Sequence, residues 1–596
     1  MASTSTMRPL PVVEGTDPSK CVLDSFRIAI SQKLSEALPL TLEQAFAGVD
    51  YGKKGEDFTV AVPRFRLKGK VDEIAAQVIE KFQPDEWVES VVLDKSFLHF
   101  RVNTTSMIRE VLNQVNSLTH STASGKPEYG SNDSGKGKKV IVEYSSPNIA
   151  KSFHVGHLRS TIIGAFLANL YKACGWEVVS MNYLGDWGTQ FGMIATGYEK
   201  YGSQEELEKD AIKHLFDVYV KVSKDAEADP NVKVTAAEWF KRMEDGDEEA
   251  LKNWRVWREM SVKKYEAEYE RLNVHFDVYT GESKVKKESM DKALTQLEEM
   301  GLVSDSNGAK VVNLEKYKLG SAVVRKKDGT SIYLTRDIGG AIERYEEYKF
   351  DKMIYVVATQ QDLHLAQFFK VLELMGFPWA KDLVHVNYGL VLGMSTRKGT
   401  VVFLDQIIKE AGNVMHEQMQ KNEEKYAAVE NPVETSMEIG ITGVKIQDMA
   451  AKRINNYTFN WDRMKSFEGD TGPYLQYAHV RLASIGRKNP HLLPLPPASE
   501  IATEALAQYG HARDIAFLLG TYPDVVKTAL KTHEPSGVVT FAFRLSHAIS
   551  SAWDSVIVKG EEDLEKARAK MFLYECAREV LAAAMRLLSI RPLERM

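Results

Sequence analysis

Residues 138–175 read KKVIVEYSSPNIAKSFHVGHLRSTIIGAFLANLYKACG. Val140, Ile141 and Val142 form a short β-branched run of the kind that lies buried in a parallel sheet. Pro147 has no N–H to give to a central strand and ends it. A loop carrying Asn148, Lys151, His154, Gly156 and His157 follows. From 158 to 173 the apolar residues Ile162, Ile163, Phe166, Leu167, Leu170 and Tyr171 recur at helical spacing, and Gly175 supplies a stop. Strand, loop and helix make the first half of a doubly wound α/β unit, whose ligands bind at the carboxyl ends of strands.

The loop lacks the glycines of GxGxxG and of GxxxxGK[ST], so neither a dinucleotide fold nor a P-loop is indicated. It offers two histidines three apart, flanking a glycine, where a helix begins. Unpaired N–H groups and the positive end of the helix dipole favour an anion there. Gly156 lets a flat or charged ligand approach the backbone closely. Taken alone, the pair fits two ordinary loop histidines beside a cap equally well.

A chain of 596 residues exceeds a single core and divides into three or four domains. It is 44% hydrophobic and 27% charged, as soluble globular proteins are. It contains no apolar run long enough to cross a membrane. Its opening twenty residues have no apolar stretch of the secretory kind and read as a short disordered lead. Cys21, Cys174 and Cys576 lie far apart without CxxC spacing, which fits a reducing cytosol and argues against a cysteine-built zinc site. A net charge of −6 neither advertises nor excludes nucleic acid, because RNA needs a local basic stripe rather than a basic protein.

HVGH at 154–157 resembles the first signature of class I aminoacyl-tRNA synthetases, and SSPNIAKSFHVGHLRSTIIG is similar to its form in arginyl-tRNA synthetases of the eukaryotic cytosolic type. The second signature, a mobile lysine-rich loop, has its counterpart in Gly393-Met394-Ser395-Thr396-Arg397-Lys398-Gly399. GDWGTQFG (185–192), YLTRDIGGA (333–341), TGPYLQYAHVRLASI (471–485) and the terminal RPLERM extend the resemblance over most of the chain.

The resemblance implies a multidomain α/β protein. A disordered lead (1–19) precedes an added α+β domain (20–130) that touches the elbow of tRNA. A Rossmann-type catalytic domain (131–410) carries a solvated helical insertion (203–272). A connecting helical region (411–454) leads to a helical anticodon-binding bundle (455–596). Within the core, residue patterns predict a hairpin about Lys327-Asp328-Gly329, strands near 351–359, 385–392 and 401–404, and Asp405 as a helix N-cap.

The reaction implied is attack of the arginine carboxylate on the α-phosphate of ATP, then transfer to the terminal adenosine of tRNA(Arg). Positioning and charge stabilisation suffice for it, with Mg2+ accompanying ATP and no tightly bound protein-ligated metal. His154, Gly156 and His157 are placed for one side of ATP; Met394, Ser395, Thr396, Arg397 and Lys398 for the other. Gly393 and Arg397 replace the usual lysines, which makes Lys151 a candidate to supply charge. Arg397-Lys398 also reads as a surface basic pair.

By family position, Glu143, Ser146, Asn148, His157, Tyr333, Asp337 and Gln361 bind arginine. Tyr333 and Asp337 meet the guanidinium, and four-residue spacing puts them on one helix face. The expected cationic partner of Asp337 is the substrate, the alternative being Arg336 or a cap role. Tyr474, Tyr477 and Arg481 suit stacking and phosphate contact, and Trp553 and Met596 contact the anticodon by family position. Trp553 also fits core packing. The expected protein is a cytoplasmic monomer with no membrane partner that needs tRNA before it activates arginine. A class I enzyme for another amino acid, and a catalytically silent tRNA-binding relative, remain as alternatives.

Overall fold

The structure, a computed structural model, describes residues 7–53, 55–149, 151, 153, 155–327, 333–393 and 403–596. An antiparallel sheet opens the chain in the order β1 (Val49–Tyr51), β2 (Phe58–Ala61), β4 (Phe97–Val102), β3 (Val88–Asp94). The helices Leu23–Ala37, Val71–Lys81 and Thr104–His120 accompany it. Residues 7–19, expected as part of a disordered lead, are packed here. Val13 is buried, and Arg8 donates to Gln32 at 2.7 Å and to Asp85 at 3.1 Å.

The parallel sheet is built from β5 (Lys139–Glu143), β6 (Glu177–Leu184), β7 (Val278–Gly281), β11 (Lys352–Val356) and β12 (Leu383–Val386). Its order is β12-β11-β5-β6-β7, every neighbour parallel. The order reverses between β5 and β11, where Glu143 and Tyr355 stand in register. Ligands bind at such a switch point, outside the strand ends. A small antiparallel sheet of β8 (Val303–Ser306), β9 (Ala309–Asn313) and β10 (Ser321–Arg325) lies between β7 and β11 in the chain.

Helix Val155–Ala173 covers the sheet but is buried on nearly every side, not on one face alone. Gly164 lets it approach β5 closely: a Cβ there would sit 2.1 Å from the Tyr144 ring. Its other side is covered by the C-terminal helices Pro432–Met449, Gly510–Thr532 and Leu564–Leu587.

Three local expectations change. β10 pairs with β9, while Tyr333 and Leu334 begin helix Tyr333–Tyr348 instead of forming a hairpin strand. Leu404 opens helix Leu404–Gln420, whose N-cap is Phe403; Asp405 sits in its first turn, accepting from Arg271 at 2.6 Å. The insertion is helical, from Gln204–Lys209 to Glu248–Arg271, but it is not a solvated appendage. Trp254, Trp257, Tyr265 and Tyr269 are buried, and Tyr269 reaches the Ser145 hydroxyl at 2.6 Å. Alternating charge in the sequence concealed a face spaced for burial against the core.

Candidate active site

The chain leaves β5 through two successive left-handed residues, Ser145 (φ 68°) and Ser146 (φ 46°). Such backbone costs about 1 kcal/mol or more per residue and persists where neighbours enforce it. Here they do. Ser145 N–H donates to Ser160 Oγ at 2.9 Å, and Ser160 Oγ–H donates to the Val356 carbonyl at 2.8 Å, tying β5, the helix start and β11 together. Ser146 Oγ accepts from Tyr183 N–H at 3.2 Å. Asn148 bridges to Gly185 in a parallel fashion, so the loops after β5 and β6 run side by side.

His157 lies in the first helical turn, half-buried, its ring 5.3 Å from Phe153. The Gly156 carbonyl accepts from Tyr388 Oη at 3.1 Å. Lys151 is exposed. His154, Met394, Ser395, Thr396, Arg397 and Lys398 lie outside the described residues. The approach to the second signature is described: Val391–Leu392 (β13) pairs in parallel with Tyr457–Thr458 (β14), then Gly393 turns at φ 74°. Arg159, fully buried, donates to the carbonyls of Gly389 (2.6 Å) and Asn455 (2.9 Å) and faces Asp448 at 3.4 Å. Burial pushes the Asp448 carboxyl up to about 6 against that pairing. Thus the helix after the first signature grips the chain just ahead of the second.

Glu143, 8% exposed at the end of β5, accepts from Arg344 of helix Tyr333–Tyr348. Desolvation pushes its carboxyl up, and Arg344 opposes the shift. The Arg344 guanidinium lies 4.9 Å from the Tyr183 ring centre and 5.9 Å from that of Tyr355. About two turns back on this helix stand Arg336, 3.4 Å from Glu282, and Asp337, whose Oδ2 is 2.7 Å from His364 Nε2. Burial pushes Glu282 up to about 7. Asp337 therefore pairs neither with Arg336 nor within its own helix; its partner is a histidine of the next helix. Tyr333 shares the helix and is 71% exposed, and Gln361 is exposed in the turn after β11.

Asp186, fully buried, fixes the loop beyond β6. Its carboxylate accepts from Arg258 Nε at 2.6 Å, Ser283 N at 2.9 Å and Ser283 Oγ at 2.8 Å. The sequence reading singled out none of Arg344, His364, Glu282, Asp186 and Arg159. Two left a signal: Arg344 lies seven residues, two helical turns, from Asp337, and Arg159 stands two residues after the second histidine of the signature. The others meet only through tertiary packing.

The C-terminal residues also come together. Arg481 lies 3.8 Å over the Trp553 ring and 5.5 Å from that of Tyr477, which is 40% exposed. Tyr474 stacks on His547 at 5.6 Å. Trp553 is half-buried, packed against the core and carrying Arg481 over its ring. Met596 ends a tail held to helix Gly472–Lys488, where His479 Nδ1 lies 2.7 Å from the Leu593 carbonyl.

Among the described residues, Cys21, Asp24 and Asp524 bring metal-type ligand atoms within 4.8 Å of one another. Asp524 already accepts from Tyr51, and Arg27 and Lys527 face both carboxylates. The cluster reads as a charge-paired joint between the N-terminal domain and helix Gly510–Thr532.

A parallel sheet in this order, entered at its switch point by a histidine-bearing helix and followed by a helical bundle, is the architecture expected of a class I aminoacyl-tRNA synthetase. The family described as tRNA synthetases class I (R), catalytic domain, matches residues 120–461, and the DALR anticodon binding domain matches 475–596. The chain is 50% identical to the cytoplasmic arginine–tRNA ligase of Saccharomyces cerevisiae, covering 98% of this chain and 97% of that one. It is 47% identical to a probable cytoplasmic arginine–tRNA ligase of Schizosaccharomyces pombe, over 100% and 98%. The arginyl-tRNA synthetase of Thermus thermophilus superposes with a TM-score of 0.76 at 22% identity, over 96% of this chain and 100% of that one, and shares the fold. The chain belongs to the arginine–tRNA ligase family. It is an ATP-dependent ligase that joins arginine to tRNA, and no relative supports the silent alternative.

Proposed function

We propose that the substrate arginine lies across the switch point, its guanidinium against Asp337 with Tyr333 beside it and Glu143 beneath. Asn148, Ser146, Gln361 and His157 hold the amino and carboxylate end. The observation that carries this reading is the convergence of Glu143 and Asp337 where the sheet order reverses, since an acidic pocket at a strand end suits a guanidinium. Arg344 occupies one oxygen of Glu143, so Glu143 shapes the pocket while Asp337 supplies the charge.

His154, Gly156 and His157 at the helix N-terminus bind ATP, with Met394, Ser395, Thr396 and Arg397 closing from the other side. Arg397, Lys398 and Lys151 stabilise the departing pyrophosphate. The arginine carboxylate attacks the α-phosphate in line, with Mg2+ accompanying ATP as substrate. The 2′-OH of the terminal adenosine then attacks the carbonyl of the arginyl-adenylate and takes the arginyl group as AMP leaves, without a covalent enzyme intermediate.

Tyr474, Tyr477, Arg481, Trp553 and Met596 receive the anticodon stem and loop. The N-terminal domain meets the tRNA elbow, and its sheet offers Phe97, 42% exposed and stacked near His99. The protein works as a cytoplasmic monomer. No helix among the described residues is long and apolar enough to cross a membrane.

Charging of total tRNA with each amino acid in turn, with ATP and magnesium, tests the reading. Arginine alone is incorporated, and only with RNA present. Asp337→Asn then raises the KM for arginine while leaving that for ATP unchanged, and His157→Ala abolishes adenylate formation while tRNA still binds. ATP–pyrophosphate exchange without RNA would contradict the requirement for bound tRNA.

A further inference from the structure

Three acid–base pairs meet around the pocket: Glu143 with Arg344, Glu282 with Arg336, and Asp337 with His364. The groups sense one another. The Asp337 charge pushes the carboxyls of Glu143 and Glu282 up and, after burial, is the next cause raising the Tyr183 phenol. Two of the three carboxylates are neutralised by guanidinium groups, which hold their charge at every working pH. The third faces an imidazole, which can donate a hydrogen bond without carrying a charge.

Glu143 and Glu282 each face a guanidinium, which leaves the Asp337 carboxylate to accept an incoming guanidinium cation. His364 donates Nε2–H to Oδ2 and fixes that carboxylate, leaving Oδ1 without a hydrogen-bond partner among the described residues.

We infer that His364 is a specificity-determining positioning residue for the ligase. Its imidazole, donating Nε2–H to Oδ2, orients Asp337 toward the substrate guanidinium. This rests on the assignment of Asp337 as the guanidinium contact.

Asp337 is the one ion-pair partner of His364 among the described residues. On the same helix as His364, Asp362 lies 3.6 Å from His385 of β12 and accepts from Asn387. Lys370 is taken by Glu373, and the turn Pro378–Asp382 brings Lys381 and Asp382. Arg336 and Arg344 on the facing helix are committed to Glu282 and Glu143.

The test is the KM for arginine, measured at saturating tRNA and ATP, with the KM for ATP and kcat recorded alongside. His364→Ala, which removes the donor to Oδ2, raises the arginine KM about 5- to 10-fold while the ATP KM stays level. His364→Gln, which keeps a donor, brings the arginine KM back toward that of the unaltered enzyme. An unchanged arginine KM in His364→Ala, or no recovery in His364→Gln, overturns the inference. Asp337→Asn separates the two assignments: if its arginine KM matches the unaltered enzyme's, the pocket itself is misplaced, whatever the histidine variants do.

Discussion

Arg513 and Asp57 stand 456 residues apart in sequence and form a buried two-pronged pair, Nη1 donating to Oδ1 at 3.0 Å and Nη2 to Oδ2. Asp57 also accepts from the Val102 N–H at 2.8 Å, and Arg513 Nε donates to Thr104 Oγ1 at 3.1 Å. One arginine of the C-terminal bundle thereby fixes both strand and helix of the N-terminal domain.

Removing one partner of such a pair strands the other charge in the interior. Arg513→Leu is expected to cost about 3–5 kcal/mol. Denaturant unfolding followed by fluorescence, together with limited proteolysis near residue 121, reads the loosened domain. The double variant Asp57→Asn with Arg513→Leu recovers part of the loss.

His533 caps helix Gly510–Thr532 and lies 2.7 Å from the Tyr171 hydroxyl, behind the signature helix. Burial, with Lys352 and Arg453 nearby, pushes its imidazole down to about 4. The unfolded chain therefore takes up the proton first. Stability from this site is full above about pH 6.5 and is lost as pH falls toward about 4, up to about 3 kcal/mol. His533→Asn, which tolerates the left-handed backbone, should show a shallower acid limb when thermal midpoints are compared from pH 7 to pH 4.5.

Trp553 carries Arg481 over its ring while also packing against the core. Trp553→Ala should weaken RNA binding beyond any modest cost to folding. A lost base–aromatic stack is worth about 1–3 kcal/mol, so the KM for tRNA rises about 5- to 150-fold. The KM values for arginine and ATP stay put; a loss spread equally over all three would mean that the bundle had collapsed.

Gly164→Ala drives a Cβ into the Tyr144 ring beneath the signature helix. Overpacking of this kind costs about 1–3 kcal/mol. Because β5 and the helix must separate to admit the methyl, thermal inactivation should speed up. Pairing it with Tyr144→Leu, which clears the space, should restore part of the lifetime.

The sequence read most securely where one element carries its own periodicity. β5, the helix after it, β11 and the helix Asp362–Leu374 follow from apolar spacing and from single prolines and glycines. The candidate site could be proposed for the same reason. Ser146 and Asn148 lie on the loop after β5, His157 in the first turn of the helix it leads to, and Tyr333 and Asp337 on one helix, so motif and spacing could propose them. Arg344 was within reach by spacing, but its target, Glu143, sits on a strand about two hundred residues earlier.

The sequence by itself determined the class of fold, the family, and the loops that carry its two signatures, because those depend on local pattern and motif order. Only the tertiary structure decided which charge answers which. His364 belongs to Asp337, Arg258 to Asp186, and Arg513 to Asp57 because desolvated ions must find partners wherever packing brings them, and spacing along the chain does not encode that. The insertion was misread on the same account: its charged residues dominate composition, while its few buried aromatics dock it to the core.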